Sequence, residues 1–205
     1  MNCLLCHTPE NERIHPHFFQ CKTCRAIYKN RQYWLNPDEE KARYLLHKND
    51  IYDPNYRRFV SLITDAVLAQ YTPQHQGLDF GAGTGPVIAQ VLAEHGFQVK
   101  LYDPFFHPFQ AHVQAQYDYI MSCEVVEHFH NPAKEFQLLH GCLKEGAKLF
   151  IMTDRFNPSH TFENWYYKND PTHVFIYQDE TFEWIQAHFG FSALQFSGRL
   201  VSLQK

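Results

Sequence analysis

No stretch of this chain comes near the ~20 consecutive apolar residues that a membrane-spanning helix needs, and the N-terminus lacks the apolar core of a signal peptide. The chain is therefore expected in the cytosol. A basic excess is missing too: 18 Lys and Arg stand against 22 Asp and Glu, a formal net charge of -4. Without a positive field there is no general means of gathering nucleic acid or anionic lipid, so neither is an expected partner. Internal repeats and low-complexity segments are also absent, which excludes a fibrous or disordered chain.

What is present is aromatic. The 205 residues include 18 Phe and 12 Tyr and are 44% hydrophobic, enough for one core with a small appended module and a pocket walled by rings. Six cysteines occur, and four of them, Cys3, Cys6, Cys21 and Cys24, fall in the first twenty-four residues. In a reducing compartment such clustering favours metal over disulfides. Two C-x-x-C pairs fourteen residues apart let four sulfurs converge on one ion with no open position, the arrangement of a structural zinc ribbon or knuckle. His7 is an alternative ligand beside Cys6. Cys123 and Cys142 are expected to be ordinary buried thiols, Cys123 in a pocket wall.

Segment 1–30 has too few aliphatic residues for its own core and needs a metal or a neighbour. Asn36-Pro37 followed by Asp38, Glu39 and Glu40 predicts a helix to about His47, with its carboxylates in the first turn. Phe59, Val60, Ile63, Val67 and Leu68 are spaced as one buried helical face. From there apolar runs alternate with helical patterns: 77–80, 87–95, 98–102, 117–122, 132–143 and 148–153. Strict alternation predicts a doubly wound, mostly parallel α/β sheet. A final helix, 180–189, leads to strands 191–196 and 200–203 across Ser197-Gly198, an antiparallel C-terminal edge. The long stretch 154–177 reads as a loop over the sheet's carboxyl edge, where specificity is commonly carried. The divisions are thus 1–30 as zinc module, 31–55 as helical linker and 56–205 as main domain.

The strongest site signal is Leu78-Asp79-Phe80-Gly81-Ala82-Gly83-Thr84-Gly85-Pro86, a strand running into glycines and then a helix. A dinucleotide-binding G-x-G-x-x-G would place its third glycine at position 86, where this chain has proline. A second strand ends at Tyr102-Asp103-Pro104, about twenty residues on, where an acid can accept both hydroxyls of a ribose. The G-x-G-x-G spacing after Asp79 resembles the first motif of class I S-adenosylmethionine-dependent methyltransferases. The segment 117–128, ending Ser122-Cys123-Glu124-Val125-Val126-Glu127-His128, is similar to the fourth strand and loop of the ubiquinone-type and small-metabolite members.

The resemblance implies a Rossmann-like methyltransferase fold that binds S-adenosylmethionine. It implies that Asp103 holds the ribose and Asp79 lies near the amino-acid end. Phe80, Gly81, Ala82, Gly83, Tyr102, Pro104, Ser122, Cys123 and Glu124 would line the cofactor pocket. One departure stands out: residues 104–116 are too few for the usual third strand, its helix and the acid that reads adenine, so adenine is expected on Pro104, Phe105 or Phe106.

The sulfonium methyl is already activated, so the protein has to align an acceptor and exclude water. A hydroxyl, phenol or amine must also lose a proton, and a histidine is the usual agent. His128 is the first candidate, with Glu127 beside it and His173 in the aromatic loop with Trp165, Tyr166 and Tyr167. Tyr52 and Tyr56 are candidates to close over the cofactor. Glu124, Glu127 and His128 also match the E-x-x-E-H pattern that holds a divalent metal in some ubiquinone-type enzymes; the alternative is a helix start that caps or packs. The expected function is methyl transfer to a small molecule, at oxygen rather than nitrogen or carbon. The rivals are a zinc-ribbon protein that binds the cofactor without turnover, and a nucleic-acid methyltransferase using Lys22, Arg25, Lys29 and Arg31.

Overall fold

Two sheets share the chain. The computed structural model describes residues 2–47 and 49–205. In chain order the elements are β1 (Asn11–His15), β2 (Phe18–Cys21), β3 (Ile27–Lys29), α1 (Pro37–Tyr44), α2 (Pro54–Gln70), β4 (Gln76–Phe80), α3 (Val87–Glu94), β5 (Gln98–Tyr102), β6 (Tyr117–Cys123), α4 (Pro132–Gly141), β7 (Leu143–Met152), β8 (Phe175–Ile176), α5 (Asp179–Phe189), β9 (Ala193–Ser197) and β10 (Leu200–Gln204).

The larger sheet runs β5-β4-β6-β7-β10-β9. Strands β5, β4, β6 and β7 are parallel, and β10 enters antiparallel between β7 and β9. The two last strands thus form the antiparallel C-terminal edge that the sequence predicts, with the later strand, β10, on the inner side. Burial explains the order: Leu200, Val201 and Leu203 of β10 are buried, whereas β9 is partly or fully exposed along its length, so the more apolar arm takes the inner position. At the other edge, β5 has no outer neighbour among the described residues. Segment 104–116 makes only an isolated bridge between Asp103 and His107 and a 3-10 turn at Gln110–Val113.

Pleat alternation feeds a core on each face of the sheet. Tyr119, Met121, Phe150 and Met152 pack with Val60, Ile63 and Val67 of α2 and Ile88 and Leu92 of α3. Leu78, Ile120, Leu149 and Ile151 pack with Phe136 and Leu139 of α4 and Phe182 and Ile185 of α5. The doubly wound architecture is thus the one read from the sequence. Helix α1 is shorter than predicted: Leu46 N–H bonds Arg43 and His47 N–H bonds Tyr44, i to i−3 contacts that tighten and end it. No helix among the described residues is long and apolar enough to cross a membrane.

The smaller sheet, β1-β2-β3-β8, joins the N-terminal strands to the main domain. The stretch 154–177, read as wholly irregular, supplies β8, which pairs Ile27 with Ile176 and Tyr28 with Phe175. Two residues show no periodicity, and their partner lies far back in the chain, so no local signal marks this strand. Leu4, Leu5, Ala26 and Tyr28 are buried in the same core as α4 and α5. The N-terminal module completes its interior on the main domain, as its shortage of aliphatic residues demands.

Candidate active site

A cleft of about 1070 Å³ opens at the carboxyl ends of β4, β5 and β6. Of the residues assigned to a cofactor from the sequence, Asp79, Phe80, Gly81, Ala82, Gly83, Tyr102, Asp103, Pro104, Cys123 and Glu124 all line it. Ser122 does not: its side chain is fully buried within the sheet.

The glycine loop needs its glycines. Gly81 has φ +84° and a Cβ there would lie 2.3 Å from a Val125 methyl; Gly83 has φ +60°. The loop is tied to β5 from below, since Gly81 and Ala82 donate their N–H groups to the Tyr102 carbonyl at 2.8 and 3.1 Å. Asp103 ties it from the side. Its Oδ2 accepts the Gly83 N–H at 3.1 Å, while Oδ1 accepts those of Phe105 and Phe106 at 2.8 and 3.0 Å. Oδ2, with a single bond from the protein, keeps capacity for a ligand hydroxyl. Asp79 is buried beneath this loop; desolvation first, and the Asp103 charge second, push its carboxyl up to about 7.

The other end of the cleft gathers the residues assigned to chemistry. Glu127 is fully buried and accepts hydrogen bonds from the Tyr167 hydroxyl and, at 3.1 Å, from Thr153 Oγ1. His128 Nδ1 lies 3.0 Å from the Thr172 carbonyl and His173 Nδ1 lies 2.7 Å from the Tyr167 carbonyl. A carbonyl only accepts, so each Nδ1 carries the proton and each neutral ring keeps a bare Nε2. Burial lowers both imidazoles, His173 to about 3, so both are neutral at pH 7. Their ring centroids are 5.0 Å apart. Ligand atoms of Glu127, His128 and His173 lie within 4.8 Å of one another. Glu124, from the E-x-x-E-H pattern, is engaged by other groups: its carboxylate is held by Arg199 at 2.8 and 3.0 Å, and its Oε2 lies 3.2 Å from the Tyr167 hydroxyl, whose one proton it shares with Glu127. Burial raises both glutamates, and the charge of Glu127 raises Glu124 further, against the pull of Arg199.

Several cleft residues carry no signal in the sequence. Arg199 lies in the turn between β9 and β10. Asn49 meets the glycine loop so closely that a Cβ on Gly85 would lie 1.9 Å from its carbonyl oxygen. Tyr44 sets its ring edge-on to His128, centroids 5.2 Å apart. Of the aromatics named beforehand, Tyr56, Tyr166 and Tyr167 line the cleft. Tyr52 is 70% exposed, and Trp165 packs with Phe156 and Phe162 outside it.

The model of a family described as "Methyltransferase domain" matches residues 48–195. The chain belongs to this methyltransferase family. The fold is shared with solved methyltransferase structures at low identity. A Burkholderia thailandensis 1,6-didemethyltoxoflavin-N1-methyltransferase, solved with 1,6-didemethyltoxoflavin and S-adenosylhomocysteine, is 16% identical with a TM-score of 0.57, over 96% of this chain and 99% of that one. A methyltransferase from Archaeoglobus fulgidus is 16% identical with a TM-score of 0.56, over 73% and 94%. An O-methyltransferase family protein from Burkholderia thailandensis is 16% identical with a TM-score of 0.56; the match covers 80% of this chain and 61% of that one. No curated protein matches the sequence.

The methyltransferase carries its cysteine cluster beside the smaller sheet, with Cys21 at the end of β2 and the other three outside the strands. Sγ atoms of Cys3 and Cys24 are 3.5 Å apart, and those of Cys6 and Cys21 are 3.4 Å apart. All four lie within 4.8 Å of one another. Sulfurs about 2.3 Å from a central zinc form a tetrahedron with edges of roughly 3.8 Å, so the spacing fits. His7 and Arg25, which follow the second cysteine of each pair, have φ of 60° and 59°, giving two like-shaped knuckles. His7 itself is exposed and outside the sulfur group. Cys142 is a buried thiol that donates to the Val113 carbonyl.

Proposed function

We propose that this methyltransferase moves the methyl group of S-adenosylmethionine to an oxygen of a small-molecule acceptor, in the cytosol, with a structural zinc at Cys3, Cys6, Cys21 and Cys24. The observation that carries the reading is one continuous cleft with a glycine loop and two acids at one end and two bare imidazole nitrogens at the other. Its volume exceeds that of a usual single-ligand pocket, so cofactor and acceptor fit side by side.

The residues fit the cofactor: Asp103 offers an acceptor to ribose hydroxyls, Asp79 a carboxylate to the amino-acid end, and the glycines a surface without Cβ atoms. S-adenosylmethionine supplies an electrophilic methyl when bound. His128 Nε2 then receives the acceptor's proton, and His173, Glu127 and Tyr167 hold that imidazole's surroundings fixed. Tyr44 and Phe105, ring centroids 5.8 Å apart, give the cleft aromatic walls suited to a flat or sugar-like acceptor.

The test is transfer of radiolabelled methyl to a panel of phenols, sugar hydroxyls and amines, with S-adenosylhomocysteine affinity measured in parallel. His128→Gln is expected to bind S-adenosylhomocysteine as the wild type does and to lose 100-fold or more in turnover. Label on amines alone would overturn the oxygen assignment. Binding with no transfer to any acceptor would mark a non-catalytic cofactor-binding protein, and retention on RNA or DNA that salt disrupts would mark a nucleic-acid enzyme.

A further inference from the structure

The turn from Asp170 to His173 presents its carbonyls to two different groups. The Thr172 carbonyl takes the proton of His128 Nδ1. The two preceding carbonyls, of Asp170 and Pro171, accept from the ammonium of Lys29 at 3.2 and 2.8 Å. One residue after His173, Val174 is clamped from both sides. Its carbonyl accepts the Lys29 backbone N–H at 2.8 Å, and its N–H donates to the Glu127 carbonyl at 3.0 Å.

Lys29 belongs to β3, in the cysteine module, yet it is only 5% exposed. Its ammonium reaches no carboxylate oxygen among the described contacts, because the Asp170 carboxylate is taken by Arg43 at 2.8 Å and by Thr172. Burying an ammonium on neutral carbonyls is expensive; burial pulls Lys29 down to about 8, opposed by the Asp170 charge. An apolar side chain over Phe18 would fill the same space at less cost. What only an ammonium does here is fix two successive carbonyls of the turn that both orients His128 and carries His173.

We propose that Lys29 is a positioning residue for the acceptor end of the cleft: through the 170–174 turn it sets the ring orientations of His128 and His173. The inference rests on the reading of those two histidines given above. It also gives the N-terminal module a part in the chemistry without touching cofactor or acceptor.

Imidazole proton and nitrogen NMR spectra of the full, metal-loaded chain test this without any acceptor. His173→Gln and His128→Gln identify the two Nδ1–H signals, and S-adenosylhomocysteine affinity is measured on every variant. In Lys29→Met both protons are expected to exchange with water at least tenfold faster, while the S-adenosylhomocysteine Kd stays within twofold, since the glycine loop lies at the other end of the cleft. Lys29→Arg, which keeps the donors, is expected to restore the slow signals. If Lys29→Met yields no folded protein, Lys29→Gln, with a single amide donor group, carries the same comparison. Unchanged proton signals in the neutral variant would overturn the proposal. So would a parallel loss of S-adenosylhomocysteine affinity, which would mark a general structural role. A wild-type chain that binds no S-adenosylhomocysteine would instead defeat the cofactor reading, because the imidazole signals are recorded without ligand.

Discussion

Arg199, from the turn between the last two strands, closes on Glu124 at 2.8 and 3.0 Å and so holds the left-handed residue (φ 53°) that ends β6. The guanidinium also lies 5.3 Å from the Phe59 ring centroid. The two side chains are 31% and 27% exposed, too wet for the full worth of a buried pair. Arg199→Met is expected to lower stability by about 1–2 kcal/mol, the cost of a half-buried acid left without its partner, read by urea unfolding. It should also push the Glu124 carboxyl higher still, above the value of about 8 to which burial and Glu127 raise it, so that the protonated carboxyl band that Glu124→Gln abolishes persists to higher pH than in the wild type.

Asp103→Ala is expected to weaken S-adenosylhomocysteine binding by about 1–3 kcal/mol, the cost of unpaired hydroxyls. The structure adds a second contribution, because the same carboxylate ties Gly83 to the Phe105–Phe106 turn. Asp103→Asn keeps an oxygen for that turn and should fall between wild type and alanine by calorimetry. An unchanged dissociation constant would refute the ribose assignment.

Asp79 is expected to make cofactor affinity depend on pH. Its carboxyl titrates near 7 in the folded, empty protein, and a ligand ammonium favours the ionised form. Affinity for S-adenosylhomocysteine should therefore be flat above pH 7 and fall by up to tenfold per unit below it, with proton release visible in buffers of different ionisation enthalpy. Because the folded value is raised above 3.8, the same group costs the empty fold stability as pH rises from 3.8 through 7. Asp79→Asn should remove both dependences.

Gly81→Ala meets two obstacles, the left-handed φ and the Val125 methyls. About 1–2 kcal/mol is expected from the backbone and about 1–3 from overpacking, seen as lost stability and lost S-adenosylhomocysteine binding. Adding Val125→Ala should recover only the packing part.

One zinc per chain is expected by elemental analysis, and chelation should lower the melting temperature and free four fast-reacting thiols. Cys21→Ser should bind zinc more weakly. Full thermal stability after complete metal removal would rule out a structural role.

The parallel sheet was legible because Leu78, Phe80 and Tyr119–Met121 are buried apolar positions of two central strands, while the edge strand 98–102 alternates apolar and polar residues, and helical patterns separate the strands. The glycine loop and Asp103 were legible because a tight turn and a strand-end acid are local in sequence. The cysteine pairs were legible for the same reason. Arg199 and Asn49, which line the cleft, and Thr153 and Lys29, which bond the residues behind it, were not, since each arrives by tertiary packing from an element with no motif of its own. The E-x-x-E-H spacing groups Glu124 with Glu127 and His128; in the fold Glu124 pairs with Arg199 and shares the Tyr167 hydroxyl with Glu127, and His173, far along the chain, stands with Glu127 and His128.

Pairing of Ile27 with Ile176 has a consequence for the order of events during synthesis. Strands β1 to β3 neighbour one another and can form soon after they emerge, yet their sheet lacks its last strand until most of the larger sheet has been made. Closing so long a loop is slow. The four cysteines consequently spend much of translation in a lobe whose open edge only β8 will cover.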